Sequence, residues 1–228
     1  MNFFQLMDKL EALYRKYEGQ KLTPSQVTHI ISMAIPFRDV NFYTVKSLGV
    51  LSKDIQVSGL YDIQEDEIGL PSIEIELTYF KRKSLHTLNK HGLSFKRWRR
   101  LCFDIVAILG HEYVHQEQHR GREFKMGKSF KSREEDENLK QLQEYLGHPD
   151  EIDAYSFSAA ADMAQSLRLN ETVDLQSTGV YNQYLTAFGP DHSVVTKLQK
   201  RSLKYYNILK GQYNEQNNRR RPRARSGQ

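Results

Sequence analysis

An apolar run from Leu101 to Leu109 leads directly into the pattern H-E-x-x-H at residues 111–115. A run that is apolar nearly all round predicts a buried helix, and polar side chains at the end of a buried helix need partners. Residues four apart on an α-helix lie one turn apart on the same face, so His111 and His115 would present two imidazoles to one point. The rest of the chain must therefore build a core around this helix and a site at its end.

Two imidazoles one helical turn apart suit a single Zn²⁺, which proteins hold through histidine, cysteine and carboxylate ligands. Glu112 lies beside the pair, where a general base for a metal-bound water belongs. Short motifs also arise by chance, and a histidine pair with ordinary hydrogen bonds is the other interpretation of the same residues. The motif predicts a zinc site only if the chain supplies a further ligand.

Three residues downstream are candidates for the third ligand. His119 continues the row, but on a straight helix it lies about 12 Å along the axis from His111, so we expect it to support the site or to face solvent. His148 and Glu151 flank a proline that opens another predicted helix. Small residues within 154–161 would let that helix approach the first closely, which brings a carboxylate on that face within reach of the metal.

The residues on these two helices resemble those of the zincin metallopeptidases, in the branch whose third metal ligand is a glutamate. By this resemblance His111 and His115 match the histidine ligands, and Glu112 matches the catalytic base. Glu151, in the stretch Glu-Ile-Asp-Ala, resembles the third ligand of a short E-x-[ED]-A element. The resemblance covers about residues 70–165 and implies a bound Zn²⁺ and a protein or peptide substrate.

The sequence also departs from the patterns of this family. The metzincin continuation H-E-x-x-H-x-x-G-x-x-H is absent, since Gly121 and the positions after it do not supply it. Tyr155 stands at the fourth position after Glu151, where thermolysin-like enzymes commonly carry an aspartate. Tyr155, His119 and His148 are the candidates for a donor to the tetrahedral oxyanion or for a group that supports the metal ligands.

The function expected from these residues is hydrolysis of peptide bonds by a zinc-dependent metallopeptidase, in which Glu112 takes a proton from the attacking water and returns it to the leaving amine. The alternative is a non-catalytic zincin-like protein that binds nucleic acid, a virion or a protein partner, although such a protein needs ligands and no base. A helical interaction protein with a chance motif is a third hypothesis. A small H-E-x-x-H domain with a basic tail is also similar to phage-encoded zincin-like peptidases.

Composition favours a cytoplasmic protein, in the host cytoplasm if it is phage-encoded. The chain has no apolar stretch of about 18 residues, so no membrane span is expected, and its start lacks the features of a secretory signal. The one cysteine, Cys102, lies in the apolar run and is predicted to be a core residue. A chain of 228 residues predicts one domain, over residues 1–212 with a core at about 40–170.

The net charge of +5 is concentrated near the C-terminal end. Residues 213–228 have the composition of a disordered basic tail, which either contacts nucleic acid or only improves solubility. A second basic region, residues 81–100, has Phe95 and Trp98 among its lysines and arginines. It is typical of a nucleic-acid surface, or of the solvated face of a helix that starts at Ser94. The tail arginines are Arg219, Arg220, Arg221, Arg223 and Arg225.

The remaining pattern predicts an α+β, mostly helical fold with a small antiparallel sheet beside the H-E-x-x-H helix. Alternating apolar residues mark strands at 42–45, 55–61 and 73–79. By the same resemblance, Ile73–Tyr79 borders the substrate cleft and pairs with an extended substrate. An ordinary half-exposed antiparallel strand is the alternative, and it fits the pattern equally well. Helical spacing and capping signals predict helices over 3–17, 24–35, from Ser94 through the motif, 132–145, 151–169, 178–188 and 193–209.

Overall fold

A computed structural model describes residues 2–49, 55–62, 71–83, 85–123, 139–169 and 171–220. Within these ranges the chain has an α+β, mostly helical fold, as predicted. No helix in them has an apolar stretch long enough to cross a bilayer. The elements are α1 (Phe3–Lys16), β1 (Lys21–Leu22), α2 (Pro24–Ala34), β2 (Val40–Ser47), β3 (Ile55–Asp62), β4 (Ser72–Phe80), β5 (His86–Thr87), α3 (Phe95–Gly121), α4 (Leu139–Leu146), α5 (Pro149–Leu169), α6 (Gly179–Phe188) and α7 (Ser193–Arg220).

Three strands form a sheet beside α3, in the order β2-β4-β3. β3 and β4 are antiparallel, whereas β2 and β4 are parallel, so the small sheet that was predicted as antiparallel is mixed. β1 and β5 form a separate antiparallel pair. On β4 the side chains of Ile73, Ile75, Leu77 and Tyr79 are buried and those between them are half-buried, which confirms the predicted alternation.

The central position of β4 contradicts the expectation that Ile73–Tyr79 borders a substrate cleft. β4 has a strand partner on both sides, so its backbone has no open edge for an extended peptide. β2 and β3 are the edge strands of this sheet, and of the two it is β3 that packs on α3. The order of strands along a chain does not determine their order in a sheet. Here β4, the strand with the most regular apolar alternation, lies at the centre of the sheet.

α3 lies at the centre of the molecule. β3 and β4 pack on one side of it, α5 packs on another, and α1 contacts its first half. That first half is anchored by Trp98, whose fully buried indole donates its Nε1–H to the carbonyl oxygen of Leu10 at 2.8 Å. Cys102 is buried in the same core, as predicted.

Two glycines allow the neighbours of α3 to approach it closely. A Cβ atom at Gly59 of β3 would lie 2.4 Å from Cγ2 of Ile108 and 3.1 Å from Oε1 of Glu112. A Cβ atom at Gly110 would lie 2.1 Å from the ring of Phe157 on α5. Because both contacts exclude a side chain, β3 and α5 lie against α3 from two sides at the level of the motif.

The C-terminal helices are those predicted, except that α7 is longer. It continues to Arg220, so residues 213–220, expected in a disordered tail, are helical. The reason is contact with α1: the ring of Tyr213 lies 5.1 Å from that of Phe4, and the Gln216 amide donates to Asp8. The rest of the tail and the predicted capping box at residues 132–135 lie outside the described residues, which resume with α4 at Leu139.

Candidate metal centre

His111 and His115 of α3 and Glu151 of α5 form one cluster. One ligand atom from each residue lies within 4.8 Å of the others, and Nε2 of His115 is 3.5 Å from Oε1 of Glu151. The histidines meet because they are four residues apart on α3, and Glu151 meets them because it lies in the first turn of α5. The three residues that the sequence singled out are therefore adjacent, and together they could hold a metal ion.

The ring of His111 is held by α5. Its Nδ1 lies 3.0 Å from Oγ of Ser158, and the ring also hydrogen-bonds to the carbonyl oxygen of Ala154. Oγ of Ser158 is itself 3.4 Å from that carbonyl. A carbonyl only accepts, so these contacts fit a Ser158 hydroxyl that donates to Ala154 and accepts from an Nδ1–H of His111. In that tautomer Nε2 of His111 carries the free lone pair, which is the form that binds metal.

The ring of His115 is held from its own helix. Nδ1 of His115 lies 3.1 Å from Oε1 of Gln118, one turn further along α3. The amide nitrogen of Gln118 donates to the backbone carbonyl of Asp150 at 3.1 Å. Both histidines of the cluster thus use Nδ1 for a protein contact and leave Nε2 for a ligand.

Glu112 is buried beside the cluster, on the side of α3 that faces β3. Its carboxylate accepts a hydrogen bond from the backbone N–H of Tyr61, and Gly59 leaves the space for it. The hydroxyl of Tyr61 in turn contacts Nδ1 of His119 at 2.9 Å. His119 is buried and lies outside the three-residue cluster, so of the two expected positions it does not take the one that faces solvent.

Aromatic side chains close the other side of the cluster. Tyr145 donates a hydrogen bond to the carboxylate of Glu151, and it also contacts Tyr155. The ring centroid of Tyr155 lies 4.9 Å from that of His111. His148 lies at the start of α5, where its Nδ1 accepts from the backbone N–H of Asp150 at 3.3 Å. Tyr155 and His148 are therefore near the cluster, and neither is one of its three ligand residues.

Burial shifts the protonation equilibria of the site toward neutral forms. Burial, followed by the neighbouring His115, lowers the pKa of His111 to about 3. Burial, followed by the carboxylate of Glu151, raises the pKa of Glu112 to about 8, against the opposing N–H of Tyr61. Burial also raises the pKa of Glu151 to about 7, although the Tyr145 hydroxyl opposes this. The imidazoles thus keep lone pairs for a ligand, and neither carboxylate has a lysine or arginine partner among the described residues.

The donor set fits a divalent metal ion. Oε2 of Glu151 is buried and has no hydrogen-bond partner among the described residues. No lysine or arginine in those ranges forms an ion pair with Glu112 or Glu151. A buried carboxylate oxygen without a partner is costly, and a cation held between it and two imidazole nitrogens removes that cost.

The basic regions are partly used inside the fold. Trp98 is fully buried, so its ring is not available to stack on a base. Arg99 contacts Glu11 at 3.5 Å and Arg100 contacts Asp104 at 2.9 Å. Arg219 is exposed on α7, while Arg221, Arg223 and Arg225 lie outside the described residues.

The residues that sequence reasoning missed are those that position the ligands. Gln118 lies three residues after His115, and Ser158 lies seven after Glu151, so each shares a helix face with a ligand. Gly59 inside a strand indicates close approach of another element. These signals were present, but each becomes specific only when the neighbouring helix or strand is known.

Comparisons with protein-family models, with curated proteins and with solved structures find no match to this chain. What the site can do must therefore be argued from its own geometry.

Proposed function

We propose that this protein is a zinc-dependent metallopeptidase. The observation that carries the proposal is the meeting of His111, His115 and Glu151 within 4.8 Å, beside the buried carboxylate of Glu112. Two histidines and one carboxylate are a ligand set typical of catalytic zinc, which keeps a further position open, whereas structural zinc is closed by four protein ligands. A buried carboxylate next to the ligands, with no lysine or arginine of the described residues paired to it, suits a general base.

In this mechanism His111, His115 and Glu151 would hold the metal. When bound, Zn²⁺ would supply a water of lowered pKa and polarise the scissile carbonyl. Glu112 would accept the proton of the attacking water and deliver it to the leaving amine. The backbone N–H of Tyr61 holds the Glu112 carboxylate in place for both transfers. Tyr155, whose ring lies against His111, is the candidate donor to the oxyanion.

The position of β3 supports a peptide as the substrate. Among the described strands β3 pairs only with β4, and Gly59 brings its backbone against Glu112. An extended peptide that added to the other edge of β3 would gain main-chain hydrogen bonds next to the proposed base. Affinity would then come from the backbone of the substrate, and side-chain pockets would provide specificity.

Metal content is the first test of this proposal. We expect about one zinc per chain in the purified protein and a large loss in Glu151→Ala, because a ligand has been removed. Asp153→Ala is the matched control, since Asp153 lies on the same helix but contacts Tyr205 and Arg201 of α7. Elemental analysis that finds no zinc in the wild type, even after zinc is supplied, would overturn the proposal.

Cleavage of a peptide library, followed by mass spectrometry, tests the reaction itself. Glu112→Gln should keep its zinc and lose activity by about 10²–10⁴-fold, the usual contribution of a general base. Zinc binding without cleavage in the wild type would favour a binding protein on the same scaffold. Equal cleavage by Glu112→Gln would show that Glu112 is not the base.

A further inference from the structure

We propose that Gln118 is a positioning residue that sets two metal ligands at once. It fixes which nitrogen His115 presents, and it joins the start of α5, and with it Glu151, to α3. This role for Gln118 rests on the proposed function, to which it adds the residue that brings the ligands of the two helices into register.

The first part of the role follows from the hydrogen-bonding capacity of each group. The carbonyl of Asp150 can only accept, so the Gln118 side chain must present its NH₂ group to it, at 3.1 Å. The carbonyl oxygen of the same amide then faces Nδ1 of His115, at 3.1 Å. Two acceptors would repel at that distance, so Nδ1 must carry the proton. His115 is thereby restricted to the tautomer whose Nε2 lone pair faces Glu151.

The second part follows from the place of Asp150 in the chain. Asp150 immediately precedes Glu151, so a bond to its carbonyl fixes the peptide that carries the third ligand. A further contact from the end of α3 supports it, because Nη1 of Arg122 lies 2.7 Å from Oδ2 of Asp150. The backbone and the side chain of Asp150 are thus both attached to α3, one turn and two turns beyond His115.

The chemistry of the position requires an amide of this length. A glutamate at 118 would keep an acceptor for His115 but could not donate to Asp150. A methionine would keep the length and lose both contacts. Gln118→Glu and Gln118→Met therefore separate the two parts of the role. Glu117→Gln is the matched control, since Glu117 is the preceding residue on α3. Among the described residues its carboxylate forms an ion pair only with Arg120.

The tautomer is measured by ¹⁵N NMR of the imidazoles in the full chain, freed of metal and near neutral pH. The wild type, Glu117→Gln and Gln118→Glu should show His115 with its proton on Nδ1. Gln118→Met should show a larger share of the Nε2–H tautomer, because the acceptor at Nδ1 is lost while Oε1 of Glu151 stays near Nε2. An altered fold alone would not move this signal in one histidine and spare His111, which Ser158 holds.

How firmly the first turn of α5 is held against α3 is measured by hydrogen exchange at the amide of Ile152. Its N–H donates to the carbonyl oxygen of His148 at 2.9 Å. Exchange there should accelerate in both Gln118 variants and stay unchanged in Glu117→Gln. Zinc affinity, from competition with a chromophoric chelator, should fall by about 10–100-fold in Gln118→Met, the usual effect of losing a group that orients a metal ligand.

The outcomes distinguish this role from the proposed function. A Gln118→Met protein that keeps the Nδ1–H tautomer and the exchange rate of the wild type would overturn the role of Gln118, whatever the protein catalyses. If the wild type binds no zinc, the proposed function fails, while the tautomer and exchange results still decide the role of Gln118. If Gln118→Met does not fold, Gln118→Glu decides it: normal exchange at Ile152 in that variant would contradict the coupling.

Discussion

The two ends of α5 bury charge in opposite ways. At its C-terminal end Arg168 lies between Asp8 and Glu11 of α1, at 2.9 and 3.0 Å. At its N-terminal end Glu151 is buried near Glu112, and no lysine or arginine of the described residues pairs with either. At the first end each carboxylate has an arginine partner. At the second end the described residues supply no such partner, and the same end holds the cluster that could bind a metal ion.

The same contrast separates stability from function along one helix. Burial raises the pKa of Glu11, but the largest opposing effect is the guanidinium of Arg168, followed by that of Arg99. For Glu112 the largest effect after burial is a second carboxylate, which raises its pKa further, to about 8. Charges that serve the fold are balanced by their neighbours, whereas those at the cluster are left for a ligand to balance.

Replacing Arg168 should have the largest effect on the free energy of unfolding. We expect Arg168→Met to destabilise the protein by about 3 kcal/mol, the low end for breaking a buried ion pair, because it leaves two half-buried carboxylates without their main partner. Urea denaturation measures the change. Arg120→Met is the control, since Arg120 pairs with Glu117 on the surface and its loss should cost less than about 1 kcal/mol. If the two variants lost equal stability, Arg168 would not be the main partner of Asp8 and Glu11 at the C-terminal end of α5.

In the metal-free protein, neutralising Glu112 should stabilise the fold, whereas removing Arg168 destabilises it. The pKa of Glu112 is raised from 4.5 to about 8 in the folded chain. The folded state therefore loses stability as pH rises, beginning where unfolded glutamate ionises and ending near the folded pKa. Glu112→Gln removes this loss, so it should match the wild type below about pH 4.5 and exceed it by about 2–4 kcal/mol above about pH 8.

Urea denaturation in the presence of a chelator, across this pH range, measures the difference between the two proteins. Glu11→Gln is the comparison at the other end of α5. Burial raises the pKa of Glu11 as well, but Arg168 and Arg99 oppose the shift, so this variant should gain less on the wild type than Glu112→Gln does as pH rises. A constant difference between Glu112→Gln and the wild type at all pH values would contradict a raised pKa at Glu112.

Bound metal should stabilise the protein at the N-terminal end of α5, where Glu151 lies, and not at its C-terminal end. Free zinc at about 100 times its Kd should add about 2.7 kcal/mol to the free energy of unfolding. Glu151→Gln should lose this gain because it removes a charged ligand, while Glu11→Gln should keep it. Thermal melts with and without zinc measure the gain. An equal gain in Glu151→Gln would place the metal elsewhere.

The cluster could be predicted from sequence because its geometry is mostly local. The spacing of His111 and His115 is set by one helix, and the start of α5 is marked by Pro149 ahead of Glu151. The fold class followed from periodicity in the same way, since alternation on β4 and helical spacing elsewhere are local properties.

The parts that failed depend on contacts between distant residues. Nothing within Ile73–Tyr79 shows that β2 and β3 will cover both its edges. Nothing in the polar composition of residues 213–220 shows that Tyr213 will pack on Phe4 and extend α7. The contacts of Ser158 and Gln118 likewise depend on how α3 and α5 are rotated against each other, which the sequence of neither helix reveals.

The smallest expected effect tests how the site manages without an aspartate at position 155. Ser158 contacts Nδ1 of His111 instead, and a neutral hydroxyl orients a ring less strongly than a carboxylate does. Ser158→Ala should therefore weaken zinc binding by about 10-fold, the low end for a group that orients a ligand. Ser166→Ala is the matched control, because Ser166 is buried on the same helix and, among the described residues, its hydroxyl donates only to the carbonyl of Met163. Chelator competition measures both affinities. Equal zinc affinity in the two variants would show that the carbonyl of Ala154 suffices to hold His111, and that the Ser158 hydroxyl does not orient the ring.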